Sequence, residues 1–67
     1  GNAGAVINGA NEAAVELFLN KKIRFTDITD FAEEALAKVP FIDDPSLEDI
    51  YSSDKAARSF VYSKVVI

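Results

Sequence analysis

Cysteine, histidine, methionine and tryptophan are all missing from these 67 residues, and each absence excludes something. No disulfide can form, and the usual zinc sites built from Cys and His are ruled out. Acid–base or nucleophilic chemistry would have to run on carboxylates, two tyrosines and lysines alone. The lack of Met means that Gly1 is not a translation start. With the apolar run Val65-Val66-Ile67 at the other end, we expect a piece of a longer chain. Positive charge is also scarce, with 7 Lys and Arg against 11 Asp and Glu and a net charge of −4. A nucleic-acid binder needs clustered cations to neutralise phosphates. Here the one short cluster, Lys21, Lys22 and Arg24, sits in a connection, so no nucleic-acid partner is expected. No stretch approaches the ~18–20 consecutive apolar residues of a membrane span, and no signal-peptide pattern is visible. A protein of cytoplasmic type, without a membrane partner, is the expectation.

What remains is 49% hydrophobic and 27% charged, a globular balance rather than a disordered one. One domain is the most this length allows. A chain this short buries only about 60% of the surface that its unfolded form exposes. Below roughly 70–80 residues a staple is usually needed, and with disulfide and zinc excluded the remaining option is contact with other protein.

The periodicity predicts an all-α fold, a small bundle of three to four helices. The first helix is expected from about Gly4 to Leu19. Val6, Ala10, Ala13, Ala14, Leu17 and Phe18 form its apolar stripe, while Ile7, Val15 and Leu19 extend apolar character around most of the circumference. Such a helix reads as buried and central, with small residues at Gly9, Ala10, Ala13 and Ala14 allowing close backbone approach. Asn20 suits the left-handed conformation at its end. Thr26 is the expected N-cap of a second helix, about Asp27 to Val39, whose stripe is Ile28, Phe31, Ala32, Ala35, Leu36 and Val39. Pro40 stops it, and Phe41 and Ile42 are expected to tuck back onto the core. Ser46 caps a further helical stretch, and Ser52-Ser53-Asp54 offers a second break. Residues 46–66 therefore read as one kinked helix or as two, the last presenting Ala57, Phe60, Val61 and Val65.

None of the candidate chemistry assembles into a site. The pairs Asp27/Asp30, Glu33/Glu34, Asp43/Asp44 and Glu48/Asp49 lie at helix starts or on outward faces, where capping and solvation account for them. The Asp43-Asp44 stretch lacks the alternating ligands and turn glycine of a calcium loop. Gly1 and Gly4 are only a faint echo of a phosphate loop. One constellation stands apart: Asn8, Asn11 and Glu12, at i, i+3 and i+4, share a face of the most apolar helix. Polar groups there must be hydrogen-bonded or solvated. They either tie down neighbouring parts of the domain itself or reach a neighbouring domain.

The same residues carry a resemblance. Ile7-Asn8-Gly9-Ala10-Asn11-Glu12, followed by Ala14-Val15 and Phe18-Leu19, resembles the Leu-Asn-Ala-Ala-Asn-Glu signature that opens the C-terminal helical domain of 1-deoxy-D-xylulose 5-phosphate reductoisomerases. Lys22-Ile23-Arg24-Phe25-Thr26-Asp27-Ile28 is similar to that family's Gly-Lys-Ile-Arg-Phe-Thr-Asp-Ile stretch. Pro45-Ser46-Leu47-Glu48-Asp49-Ile50, then Asp54 with Ala57-Arg58, continue the likeness in order. The chain departs from the pattern at Gly9, where the family usually has Ala, and at Ala56, where an aromatic is common.

The resemblance implies a parent enzyme of isoprenoid biosynthesis, bacterial and cytoplasmic or of plastid type, and homodimeric. That enzyme rearranges and reduces 1-deoxy-D-xylulose 5-phosphate to 2-C-methyl-D-erythritol 4-phosphate, using NADPH and a divalent cation (Mg or Mn). The family's nucleotide, metal and substrate motifs lie outside these residues, so no catalytic, cofactor or metal residue is carried onto this chain. We expect residues 1–67 to be a non-catalytic C-terminal domain that braces the catalytic domain of the same chain. Asn8, Asn11, Glu12 and Arg24 are the candidate interdomain contacts. The alternative is a free-standing helical interaction module.

Overall fold

The computed structural model describes residues 1–65. Three helices account for the expected all-α architecture: α1 (Ala3–Leu19), α2 (Phe25–Lys38) and α3 (Leu47–Ser63). The molecule is elongated, 36 × 17 × 16 Å. Helix α1 is central as expected, packing on both neighbours, whereas α2 and α3 barely touch. The closest-packed part is made of small side chains: Val6, Ala10, Ala13 and Ala14 of α1, Ala35 of α2, and Ala57 and Val61 of α3 are buried. Leu17, Ile23, Ile28, Phe31, Val39 and Phe60 pack around them and remain partly exposed. Close backbone approach thus replaces bulk. A Cβ on Gly9 would sit 2.5 Å from the Asp54 carbonyl oxygen, closer than real carbons come.

The expectation of a helix buried around most of its circumference does not hold. Ile7, Val15 and Leu19 are exposed, because α2 and α3 cover only one side of α1. The end of α1 also differs. Asn20 stays at φ −92°, and it is Lys21 that turns left-handed, at φ 59°. The Lys22 amide then reaches back to the Leu17 carbonyl (2.8 Å) and the Lys21 amide to that of Phe18 (2.9 Å), a Schellman closure of the helix. Asn20 acts instead through its side chain, donating to the Glu16 carbonyl at 2.8 Å.

Thr26 is not the N-cap of α2. The Asp27 carboxylate accepts the Arg24 amide at 2.9 Å, so the helix begins two residues earlier and Thr26 lies within its first turn. The stop at Pro40 is as expected, with Val39 already extended (ψ 122°). Leu36, placed on the buried stripe by periodicity, is exposed at its edge. In the loop, Ile42 is half-buried but Phe41 is not tucked in, being 68% exposed.

Ser46 caps α3 as its sequence implies. Its hydroxyl accepts the Asp49 amide and the Asp49 carboxylate accepts the Ser46 amide, both at 3.0 Å, a reciprocal capping box. From there α3 runs unbroken, which resolves the choice between one helix and two. Ser53 does not cap because its buried hydroxyl is held by Asn2 at 2.9 Å. Asp54 is engaged by Arg58, one turn on, at 2.5 Å. A tertiary partner for Ser53 and a partner one turn along the helix for Asp54 take the side chains that could otherwise have competed with the helix backbone. The helix ends at Ser63, capped at Lys64, short of the expected end near Val66, a residue that itself lies outside the described ones.

Candidate functional site

Helices α1 and α3 meet through a ladder of polar pairs with a constant offset. Asn8 donates to Asp54 at 3.1 Å, Arg58 pairs with Glu12, and the Tyr62 hydroxyl donates to Glu16 at 3.0 Å. Each step of four residues on α1 is matched by four on α3, so the two helices run parallel. Arg58 sits at the centre, bonded to both Asp54 and Glu12. Its two carboxylate partners, Asp54 first, hold its guanidinium even more firmly charged than usual. Hydrogen bonds from Arg58, and secondarily from Asn8, lower the Asp54 pKa. Burial, and then the Glu16 carboxylate, push the Tyr62 phenol up. The polar strip of α1 therefore binds within the domain at Asn8 and Glu12.

Two of the four candidate contact residues stand apart from this ladder. Asn11 is exposed and borders a shallow hollow between α1 and α3 with Glu12, Val15, Glu16 and Arg58. Arg24 lies beyond the far end of α1, at the start of α2. Its side chain is 83% exposed and 3.4 Å from Asp27. About 11 residues of helix separate the levels of Asn8 and Leu19, roughly 16 Å at 1.5 Å per residue. The four do not form one cluster.

Sequence reasoning passed over the residue that ties the most segments together. Asn2 is only 1% exposed. Its amide nitrogen donates to the Pro40 carbonyl (2.9 Å) and the Ser53 hydroxyl (2.9 Å), and its amide oxygen accepts the Ile42 amide (2.8 Å). The start of α1, the α2–α3 loop and α3 converge on this one side chain. An Asn ahead of a helix reads as an N-cap, and nothing local reveals that it points elsewhere. Arg58 was more legible, standing four residues after Asp54 on a helix.

At the other end, Lys64 bonds Glu34 at 2.5 Å and lies 5.5 and 5.4 Å from the ring centroids of Phe31 and Phe60, bridging the gap between α2 and α3. Among the described residues, no group of three or more Asp and Glu is placed so as to hold a metal ion, and no helix is long and apolar enough to cross a membrane.

Comparison with known proteins gives one family. The model of the DXP reductoisomerase C-terminal domain matches residues 1–60. Among curated relatives, the chain is 48% identical over 65 residues to the 1-deoxy-D-xylulose 5-phosphate reductoisomerase of Halalkalibacterium halodurans, covering 97% of this chain and 17% of that protein. The enzyme of that name from Synechococcus sp. is 52% identical over 58 residues (87% and 15%), and that of Pseudomonas putida is 46% identical over 57 (85% and 14%). The chain thus spans 14% to 17% of the length of these relatives. No solved structure matches it.

Proposed function

Because this chain belongs to the DXP reductoisomerase C-terminal domain family, we propose that it is the non-catalytic bracing domain of a 1-deoxy-D-xylulose 5-phosphate reductoisomerase. In this reading it packs against the catalytic domain of the same polypeptide. The parent, a cytoplasmic or plastid-type homodimer, converts 1-deoxy-D-xylulose 5-phosphate to 2-C-methyl-D-erythritol 4-phosphate with NADPH and a divalent cation. The observation that carries the reading is the match of 85% to 97% of this chain to 14% to 17% of much longer enzymes.

The residues present do not suit the parent's divalent cation. The carboxylates that converge, Glu12 and Asp54, are both bonded to the Arg58 guanidinium, which stands between them and offsets half of their charge. No catalytic step is therefore drawn through this domain. Its work is to hold shape, and the α1–α3 ladder gives it a defined shape to hold.

Asn8, Asn11, Glu12 and Arg24 are the proposed interdomain contacts. Asn11 and Arg24 have the more readily available side chains, while Asn8 and Glu12 would contribute from within the ladder. In the full enzyme, Asn11→Ala is expected to lower the melting temperature while leaving the KM for substrate near its original value. A variant of normal stability with a selectively raised KM would place Asn11 in substrate binding and overturn the bracing role.

A further inference from the structure

The most exposed apolar side chains of this domain gather at its two ends, and the ends differ. At the end where α1 begins, α2 stops and α3 begins, Phe41 (68% exposed), Leu47 (85%) and Tyr51 (75%) project into solvent, with Ile50 at 40% beside them. The Phe41 ring is so close to Gly1 that a Cβ there would lie 2.5 Å from it. The Asn2 bonds to Pro40, Ile42 and Ser53 hold the loop, the first residues and α3 together at this end. Leu47, Ile50 and Tyr51 line an open depression along α3. A free domain of this size gains nothing from presenting its largest side chains to water.

The charges around this end are acidic. Asp43, Asp44, Glu48 and Asp49 flank the apolar residues, against Lys38 at the end of α2 and Lys55, which lines the same depression as Leu47, Ile50 and Tyr51. At the opposite end Lys21, Lys22, Arg24 and Lys64 gather. Two large apolar residues are exposed there, Leu19 and Phe25, and Phe25 already packs edge-on against Phe18, with ring centroids 5.6 Å apart.

We propose that the Phe41–Leu47–Ile50–Tyr51 end, more than the opposite end that carries Arg24, is the main surface on which the rest of the full-length reductoisomerase polypeptide docks, through a partner face that is apolar with a basic rim. The inference rests on the reading of this chain as one domain of that enzyme. Two observations select the occupant. The matched family is a C-terminal domain making up 14% to 17% of its relatives. Most of the longer chain is therefore joined on the residue-1 side, which is this end of the bundle. Tethering there supplies a high effective concentration without requiring strong intrinsic affinity. The acidic rim also opposes a second copy, which would bring like charges together, and favours a partner carrying Lys and Arg.

Hydroxyl-radical footprinting of the full-length enzyme tests this without any substitution, because the domain contains its own matched probes. Tyr51 is 75% exposed and Tyr62 38%, so an uncovered domain labels Tyr51 about twice as fast, in proportion to area. Phe41 and Phe25, at 68% and 72%, label alike. In the full-length enzyme the Tyr51:Tyr62 ratio is expected to fall below one and Phe41 to label several-fold more slowly than Phe25. Protection of Phe25 with Tyr51 still labelled would overturn the proposal yet leave the bracing role standing, through the other end. Labelling of both ends as in the uncovered domain would overturn the proposal and leave the bracing role to the α1 flank at Asn8, Asn11 and Glu12. Protection of Tyr51 that disappears on dilution would mean that a second copy covers this end, which also overturns it.

Discussion

The two seams of α1 are built from different materials. Toward α3 the helix offers no Cβ at Gly9 and a polar ladder from Asn8, Glu12 and Glu16 to Asp54, Arg58 and Tyr62. Toward α2 the contact is apolar, with Ile28, Phe31, Ala32 and Ala35 closing on the core. Exposed ion pairs contribute little stability individually, so the ladder is not where most of the folding energy lies. Its value is register. A slip of one turn would break all three rungs at once, whereas an apolar seam tolerates small shifts. One face of α1 supplies burial and the other specifies how α3 lies along it.

The largest break in that comparison should come from Asn2→Ala. The change leaves the Ile42 amide, the Pro40 carbonyl and the Ser53 hydroxyl without their buried partner, and an orphaned buried group costs about 1–3 kcal/mol. We expect a loss of about 2–3 kcal/mol in chemical denaturation, with amide exchange accelerating in α3 more than in α2. Equal acceleration in both helices would show that Asn2 serves the whole core.

Next in size is Gly9→Ala, which places a carbon against the Asp54 carbonyl and forces α3 outward. Overpacking of this kind costs about 1–3 kcal/mol. Gly4→Ala is the matched control, since nothing lies within 4 Å of a Cβ there. On propensity it should be neutral or stabilising by up to about 1 kcal/mol. If the two alanines behaved alike, close approach at Gly9 would not be what holds this seam.

A smaller effect of opposite sign sharpens the α2 side. Lys21 adopts φ 59°, a conformation that costs a residue with a Cβ about 1–2 kcal/mol. Lys21→Gly should therefore raise stability by about 0.5 kcal/mol once the greater freedom of the unfolded glycine is subtracted. The family's Gly-Lys-Ile-Arg stretch carries glycine at this place. A fall in melting temperature would instead indicate that the lysine makes a contact worth more than the strain.

The smallest effect is a pH dependence confined to the ladder. The bonds from Arg58, then Asn8, hold the Asp54 pKa below its usual 3.8. Its stabilisation is complete above that value and is lost as the pH falls through the lowered pKa. Tyr62 is displaced upward from 10.0, so its contribution is complete below that value and is lost as the pH rises through the raised pKa. Asp27, lowered chiefly by its bond from the Arg24 amide, adds an acid-sensitive cap to α2. Asp54→Asn should remove the acid response of α3 amide exchange and leave that of the α2 cap. If α3 kept its full acid response, a different carboxylate would carry it.

Local patterns were legible where local chemistry decides. The stripe of α1, the stop at Pro40 and the Ser46 cap follow from periodicity, a ring clash and a side chain three residues before the amide it accepts. Some of what failed depended on distant partners: Ser53 looks like a break until Asn2 occupies its hydroxyl. Other misses were local, at Thr26 and Asn20, where Arg24 and Lys21 took the expected roles. The Asn8–Glu12 strip could have faced inward or outward until α3 lay along it.

The sequence by itself determined the all-helical class and the lack of disulfide or Cys/His zinc chemistry, because composition and short-range spacing settle these, and its ordered motifs carried the likeness to the family. Only the tertiary structure decided that α1 and α3 run parallel, that Asn2 is a buried tie and that Leu47 and Tyr51 stand exposed. Each of these depends on which surfaces meet across 40 or more residues of chain, and no local propensity encodes that.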